Sequence, residues 1–206
     1  MKTLPNLLSA SRIVLTLLMF LALAAAAGAV PYVSEQLTPE QQFALERFAF
    51  AAFVIAAVTD FFDGWLARKL DALTVWGAIL DPIGDKVLVA GAILGLMALG
   101  PQPMVLLPAG LILFREFTVS ALREVAAGKG ISLPVTRLAK WKTTFQLVAL
   151  GGEMLVACWG AFSLPTDPGL QSTVALAIHT LFWFAAFVTL FTGFQYWEHA
   201  HKALSE

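Results

Sequence analysis

Residues 43–99 read FALERFAFAAFVIAAVTDFFDGWLARKLDALTVWGAILDPIGDKVLVAGAILGLMAL. This stretch contains two long apolar runs, Phe43–Leu66 and Leu73–Leu99, joined by a short polar turn. A helix that crosses a bilayer needs about 20 mostly apolar residues, so each run predicts one membrane-spanning helix. Because the turn is short, we expect the two helices to lie antiparallel with neighbouring faces.

Four carboxylates interrupt these apolar runs: Asp60, Asp63, Asp81 and Asp85. The first two are three residues apart and the last two are four apart, so each pair shares one helix face. Charges at membrane depth are costly and indicate a functional site, and four facing carboxylates repel each other unless cations lie between them. Oxygen ligands without nearby His or Cys favour Mg²⁺ or Mn²⁺ over zinc. The spacing therefore predicts a site for two divalent metals, an arrangement that serves phosphoryl chemistry.

Residues beside the aspartates are suited to a phosphate group. Gly64 follows Asp63, and Gly77 lies one turn before Asp81, so a nucleotide could approach the backbone closely at either glycine. Arg68 lies four residues after Gly64, and its guanidinium could bind a diphosphate through two hydrogen bonds. In the alternative interpretation, the aspartates are helix-end groups that face water or lipid headgroups. It could explain Asp60 or Asp63 singly, but not Asp81 and Asp85, which lie together within one apolar run.

The whole chain has the composition of a membrane protein, with 59% hydrophobic and 13% charged residues. Soluble domains are nearer half apolar and a quarter charged, and the net charge of −1 gives no basic surplus for nucleic acid. Breakers such as Pro31, Pro101 and Pro165 separate the apolar runs. We expect a single all-α membrane domain over 1–206 with six spans: Leu7–Val30, Phe43–Leu66, Leu73–Leu99, Met104–Leu122, Thr144–Phe162 and Leu170–Phe194. The first run is longer than the core of a signal peptide, so it is interpreted as a retained helix.

Basic residues predict the orientation of the bundle. Ten of them fall at the two termini and around the second-to-third and fourth-to-fifth connections: Lys2, Arg12, Arg68, Lys69, Arg123, Lys129, Arg137, Lys140, Lys142 and Lys202. The other connections carry Arg47 as their only basic residue. Excess lysine and arginine marks the cytoplasmic side, so both termini are predicted to be cytoplasmic.

The aspartate segment resembles the signature of the CDP-alcohol phosphotransferase family. It reads Asp60-x2-Asp63-Gly64-x2-Ala67-Arg68-x8-Gly77-x3-Asp81-x3-Asp85 and agrees with that signature at all eight fixed residues. The rest of the chain is similar to the bacterial phosphatidylglycerophosphate synthase branch. The similar stretches are Pro5–Leu8 with Arg12, Leu80–Pro82 running to Asp85 and Lys86, Arg115–Phe117 with Ser120–Glu124, and Lys140–Thr144 with Gln146. Ser9 stands where a threonine is expected, and Gly84 where alanine is common.

The resemblance implies a reaction and a role for each signature residue. A phosphatidyl group would pass from CDP-diacylglycerol to glycerol 3-phosphate, and CMP would leave. Asp60, Asp63 and Asp81 would bind the metals and anchor the CDP diphosphate, beside Gly64, Ala67, Arg68 and Gly77. Asp85 would act as general base and also contact a metal. We expect a homodimer in the bacterial cytoplasmic membrane, with its active site open to the cytoplasm.

Three basic residues are predicted to bind the acceptor phosphate: Arg115, Lys140 and Lys142. Arg115 lies at a depth where a lone arginine is costly, and a structural ion pair with a buried carboxylate is the alternative for it. Orientation by positive charge and contact with anionic headgroups are the alternatives for the two lysines.

Two further residues are predicted to be structural, and a third is given no role. Cys158 has apolar neighbours and is interpreted as a packed thiol, and His179 as a satisfied core histidine. Glu153 lies in the middle of the fifth span, where it could pair with a basic residue of the bundle.

Three other functions remain as alternatives. A family member could use another acceptor, such as inositol phosphate, serine or phosphatidylglycerol. An aspartate-rich membrane prenyltransferase would bring its carboxylates on two separate motifs in a longer bundle. A cation-coupled transporter would show sequence-related halves, which the sequence lacks.

Overall fold

A computed structural model describes the backbone of residues 3–69, 75–100, 102–131 and 137–205. Within these ranges, the side chains of residues 3–6, 8, 61–69, 75–76, 78, 81, 137–140 and 204–205 lie outside the description. The described part contains six α-helices and no β-strand: α1 (Thr3–Ala26), α2 (Pro39–Lys69), α3 (Val75–Leu99), α4 (Pro103–Gly128), α5 (Arg137–Ala157) and α6 (Pro168–Ser205). Two short 3₁₀ helices lie between them, at Ser34–Gln36 and Trp159–Phe162. The predicted all-α class is confirmed.

Proline and glycine mark several helix ends. The second, fourth and sixth helices each begin with a proline, at Pro39, Pro103 and Pro168. Proline suits the first turn because its missing N–H would have no partner there. Gly100, directly after α3, and Gly130, two residues after α4, have positive φ angles of 139° and 74°. Such backbone favours glycine and ends a helix.

The helix bounds differ from the predicted spans mainly in the last three helices. The fourth helix continues to Gly128, six residues past the predicted end, and the fifth begins at Arg137, seven residues before the predicted start. The fifth helix ends at Ala157, five residues before the predicted end. The chain then forms the 3₁₀ helix, where Arg47 of α2 donates a hydrogen bond to the Ala161 carbonyl at 2.7 Å and Trp159 donates to Pro165 at 3.1 Å. These side-chain contacts satisfy two backbone carbonyl groups beyond the end of α5. The sixth helix continues to Ser205, through the more polar residues that follow the predicted end at Phe194.

The first helix is the centre of one half of the bundle. It packs extensively on both α2 and α3, and α6 packs in the same way on α4 and α5. Contacts of α3 with α4 and α5 join the two halves. In the described residues, α2 and α3 contact each other less than either contacts α1, so the expected neighbours meet largely through a third helix.

Small residues on α3 allow the close approach of α1. A Cβ atom placed on Gly91 would lie only 2.8 Å from Cγ2 of Thr16, and one on Gly84 would lie 3.2 Å from the Arg12 guanidinium carbon. Helix interfaces in membranes use small residues in this way, because close backbone approach gives the van der Waals contact that drives association. The glycine at position 84, where alanine is common, therefore makes room for a buried arginine.

Apolar side chains both fill the centre of the bundle and cover its outside. Buried core residues come from all six helices and include Met19, Phe53, Leu88, Ile112 and Leu150 with Phe182. Phe114 and Phe187 are among many large apolar side chains exposed on the outside, as expected of a surface that faces lipid. Among the described residues, five helices are long and apolar enough to cross a membrane, and α5 is not one of them. The chain is a multi-pass membrane protein, while six spans and cytoplasmic termini stay predictions.

Candidate functional site

Arg12 of α1 joins two of the predicted metal ligands. Its side chain is completely buried, and Nη1 donates a hydrogen bond to Oδ1 of Asp85 on α3 at 2.7 Å. The same nitrogen contacts Oδ1 of Asp60 on α2. A buried charge needs such partners, and Arg12 therefore fixes the relative position of the two carboxylates. Arg12 was predicted only as an orienting charge and as part of the resemblance, so its contact with both aspartates was missed.

Six of the predicted site residues have side chains outside the described part. They belong to α2, α3 and α5: Asp63, Gly64, Ala67, Arg68, Asp81 and Lys140. Gly77 is described and lies in the first turn of α3. The predicted roles of these residues in metal, nucleotide and acceptor binding stay predictions.

The described carboxylates are chemically suited to hard cations. Asp60 and Asp85 both contact the same nitrogen, Nη1, of the Arg12 guanidinium, so oxygen donors from two helices converge on one point. Carboxylate oxygens are the ligands that Mg²⁺ prefers. Within the side chains that are described, no group of three or more His, Cys, Asp or Glu residues forms a complete metal site. The described residues thus supply part of a donor set that Asp63 and Asp81 would complete.

A cavity of about 330 Å³ opens beside Asp85. We call it the polar cavity, and residues of α3, α4, α5 and α6 line it: Pro82, Asp85, Lys86, Val89, Arg115, Glu116, Val119, Ser120, Arg123, Lys142, Thr143, Gln146 and Tyr196. The lining includes four cationic side chains and two carboxylates, which leaves two positive charges in excess. The structure thereby places two of the predicted acceptor-binding residues, Arg115 and Lys142, in one cavity with the predicted general base.

Glu116 organises the cationic side of the polar cavity. Its Oε1 atom accepts from Lys142 Nζ and, at 3.2 Å, from Gln146 Nε2. Arg115 Nη1 lies 3.4 Å from the same oxygen. Lys142 and Arg115 are only 6% and 8% exposed, so both depend on this carboxylate as a counter-charge. Glu116 was predicted only as part of the Arg115–Phe117 stretch, and its position directly after an intramembrane arginine was the signal that could have identified it.

Arg115 has one more contact and one unused donor. Its Nη2 atom donates to Oγ1 of Thr192 on α6 at 3.2 Å. Its Nε atom is buried and has no acceptor among the described residues. The predicted alternative, an ion pair with a buried carboxylate, is therefore present through Glu116, yet the guanidinium also lines the polar cavity with a donor to spare.

A second buried pair lies away from the polar cavity. Nδ1 of His179 on α6 is 2.9 Å and 3.0 Å from the two carboxylate oxygens of Glu153 on α5. The predictions that His179 is a satisfied core residue and that Glu153 pairs within the bundle are confirmed. Cys158 is buried as well, as its apolar neighbours predicted.

Comparisons with known proteins agree with the signature. The sequence profile of the CDP-alcohol phosphatidyltransferase family matches residues 2–191. A Rickettsia felis protein named CDP-diacylglycerol–glycerol-3-phosphate 3-phosphatidyltransferase is 35% identical over 201 residues, which are 98% of this chain and 97% of that protein. Proteins of the same name from Cereibacter sphaeroides and Escherichia coli are 39% and 42% identical, over 76% and 74% of this chain and 81% and 78% of their own lengths.

Proposed function

The chain belongs to the CDP-alcohol phosphatidyltransferase family, and we propose that it transfers the phosphatidyl group of CDP-diacylglycerol to sn-glycerol 3-phosphate. The products are phosphatidylglycerophosphate and CMP, so the enzyme serves phospholipid biosynthesis. Relatives from several bacteria carry the name of this activity, and the similarity to one of them extends over nearly the whole chain.

The polar cavity is the observation that carries the choice of acceptor. Its lining combines Asp85 with four cationic side chains and has two positive charges in excess. A phosphomonoester carries up to two negative charges at neutral pH, so glycerol 3-phosphate would balance the cavity. Serine and phosphatidylglycerol bring less negative charge and would leave part of this positive excess unbalanced.

Arg115 and Lys142 are proposed to bind the acceptor phosphate, together with Lys140. The planar guanidinium of Arg115 suits a phosphate with two parallel hydrogen bonds, and its Nε atom has no acceptor among the described residues. Lys142 contacts Glu116 from the same cavity. Glu116 holds both cations in place until the phosphate arrives.

Asp85 is proposed to act as general base. Its carboxylate takes the proton of the attacking acceptor hydroxyl, whose oxygen forms a bond to the phosphorus atom that bears diacylglycerol. The bond from that phosphorus to the oxygen of the leaving CMP breaks, and no covalent enzyme intermediate is needed. Asp85 lines the cavity that contains the acceptor-binding cations, so base and acceptor share one space.

Two divalent cations, Mg²⁺ or Mn²⁺, are proposed to be held by Asp60, Asp63, Asp81 and Asp85. When bound, they would neutralise the diphosphate and stabilise the charge that develops on the attacking and leaving oxygens. The same segment would bind CDP-diacylglycerol through Asp60, Asp63, Gly64, Ala67, Arg68, Gly77 and Asp81. The convergence of Asp60 and Asp85 on Arg12 supports this arrangement.

The proposal extends to the setting of the enzyme. Residues 1–206 would form one domain that works as a homodimer among the lipids of the bacterial cytoplasmic membrane. The site would open to the cytoplasm, where the nucleotide leaves. The asymmetric distribution of lysine and arginine supports this orientation.

The test is CMP release by the purified enzyme in detergent micelles with CDP-diacylglycerol, Mg²⁺ and a panel of acceptors. The panel contains glycerol 3-phosphate, free glycerol, inositol phosphate, serine and phosphatidylglycerol. We expect glycerol 3-phosphate to be used efficiently and free glycerol very poorly. Asp85→Asn should abolish turnover, whereas Asp167→Asn, at an exposed cap of α6, serves as the matched control. A preference for serine or inositol phosphate would show that the acceptor is wrong.

A further inference from the structure

Thr192 on α6 presents an acceptor to Arg115. Thr192 is completely buried, and its hydroxyl lies 2.9 Å from the carbonyl oxygens of both Val188 and Thr189. The hydroxyl hydrogen is directed to this pair of carbonyls, so a lone pair of Oγ1 remains for Nη2 of Arg115 at 3.2 Å. The backbone of α6 thus fixes the hydroxyl in the orientation that the guanidinium requires.

Gly193 provides the space through which the Arg115 side chain passes. A Cβ atom at this position would lie 2.8 Å from Cγ and 3.2 Å from Nε of Arg115. The first distance is shorter than real Cβ contacts, and Cγ is near the root of the side chain. Any side chain at position 193 would therefore displace the whole Arg115 side chain, including its guanidinium, and not only the end of it.

Tyr196 completes the surroundings of Arg115 one turn further along α6. Its ring centroid lies 5.8 Å from the guanidinium carbon of Arg115 and 5.9 Å from that of Arg123. Both distances are within the range of cation–π attraction. Tyr196 also lines the polar cavity, so its ring holds the two arginines at the cavity wall.

We infer that Thr192, Gly193 and Tyr196, here called the α6 face, position the Arg115 guanidinium and thereby set the affinity of the enzyme for the acceptor phosphate. The inference rests on the proposed function, because it assumes that Arg115 binds that phosphate. Glu116 attracts the same guanidinium from 3.4 Å. Without the α6 face, the flexible arginine stem would let the guanidinium close on Glu116 and leave the cavity with one donor fewer.

The experiment is a pair of saturation curves, one for glycerol 3-phosphate and one for CDP-diacylglycerol, measured by CMP release from purified enzyme in micelles. Thr192→Val keeps the shape of the side chain and removes the acceptor, so we expect the KM for glycerol 3-phosphate to rise about tenfold, as for loss of one hydrogen bond to a charged group. The KM for CDP-diacylglycerol should stay within about twofold. Thr192→Ser restores the hydroxyl and should restore the acceptor KM.

Gly193→Ala should raise the acceptor KM in the same direction, because its methyl group displaces Arg115. Two matched controls exist. Gly110→Ala adds a methyl group to open space on α4, and Thr180→Val removes a hydroxyl that bonds the carbonyl of Leu176 within α6. Neither should change either KM. Elution from a sizing column and the thermal midpoint report whether each variant is folded, and the Val and Ser pair at position 192 decides the inference if the alanine at 193 prevents folding.

Arg115→Ala separates failure of this inference from failure of the proposed function. On an Arg115→Ala background, Thr192→Val should add nothing, because the group it positions is gone. If Arg115→Ala raises the acceptor KM and Thr192→Val does not, the α6 face has no positioning role while the proposed function stands. If Arg115→Ala itself leaves the acceptor KM unchanged, the phosphate lies elsewhere and both assignments are wrong.

Discussion

Replacement of Glu116 by glutamine removes the counter-charge of two buried cations while keeping the size of the side chain. In the wild type, one carboxylate oxygen accepts from Lys142 and Gln146 and lies close to Arg115. Removal of one partner from a buried ion pair costs about 3–5 kcal/mol. Glutamine still offers one neutral acceptor, worth about 1 kcal/mol, so we expect Glu116→Gln to destabilise the protein by roughly 2–4 kcal/mol.

Thermal unfolding in detergent is the assay for this variant. At about 2–4 °C per kcal/mol for a chain of this size, the midpoint should fall by roughly 5–15 °C. Glycerol 3-phosphate should then raise the midpoint more in the variant than in the wild type, because its dianionic phosphate replaces the missing counter-charge for Lys142 and Arg115.

Glu124→Gln on the same helix is the control, since Glu124 is exposed and substitutions there usually change stability by less than about 0.5 kcal/mol. The reasoning is refuted if Glu116→Gln unfolds at the wild-type temperature and responds to glycerol 3-phosphate as the wild type does. Equal destabilisation by the two substitutions would also contradict it, because the cost would then not come from burial.

Further predictions concern the metals, the aspartates and the topology. Chelation by EDTA should abolish CMP release and Mg²⁺ or Mn²⁺ should restore it; full turnover in metal-free buffer would exclude the two-metal proposal. Asp85→Asn should bind CDP-diacylglycerol but turn it over at least about 100-fold more slowly, as expected for a general base. Asp63→Asn should instead lose binding of CDP-diacylglycerol. If both variants lost binding equally, Asp85 would be chiefly a metal ligand. On a Cys158→Ala background, a cysteine that replaces exposed Lys129 should be labelled only by reagents that reach the cytoplasm. A cysteine that replaces exposed Gln36 should be labelled by impermeant reagents from outside. The reverse pattern would invert the predicted orientation.

The aspartate spacing was enough to identify the family, and the comparisons confirm that assignment. Helix number and class followed from apolar runs of bilayer length. The bounds differ most where α4 continues to Gly128, where α5 runs from Arg137 to Ala157, and where α6 continues to Ser205. The segment that follows the end of α5 contacts a side chain of another helix, because Arg47 of α2 donates to Ala161. The helix propensity of one apolar run contains no information about a contact with a side chain of another helix.

For the candidate site, too, some features were predictable from the sequence and others were not. Arg115 was predicted from its charge at membrane depth and Lys142 from the cluster of basic residues around the fourth-to-fifth connection. The structure places both beside Asp85 in the polar cavity. The roles of the described aspartates and of these cations remain proposals for the kinetic experiments to decide. Arg12 and Glu116 were present in the quoted motifs, but their contacts were not predictable, because they depend on the rotation and packing of whole helices.

The sequence by itself determined the local properties of this protein. Helical periodicity placed Asp60 with Asp63 and Asp81 with Asp85 on shared faces, and composition placed those faces in a membrane. Only the tertiary structure decided which helices meet: Arg12 reaches an aspartate 48 residues away and another 73 away, and Arg115 reaches Thr192 across 77 residues. The physical reason is that buried charges require partners, but the partner chosen depends on which side chains close packing brings within hydrogen-bond distance.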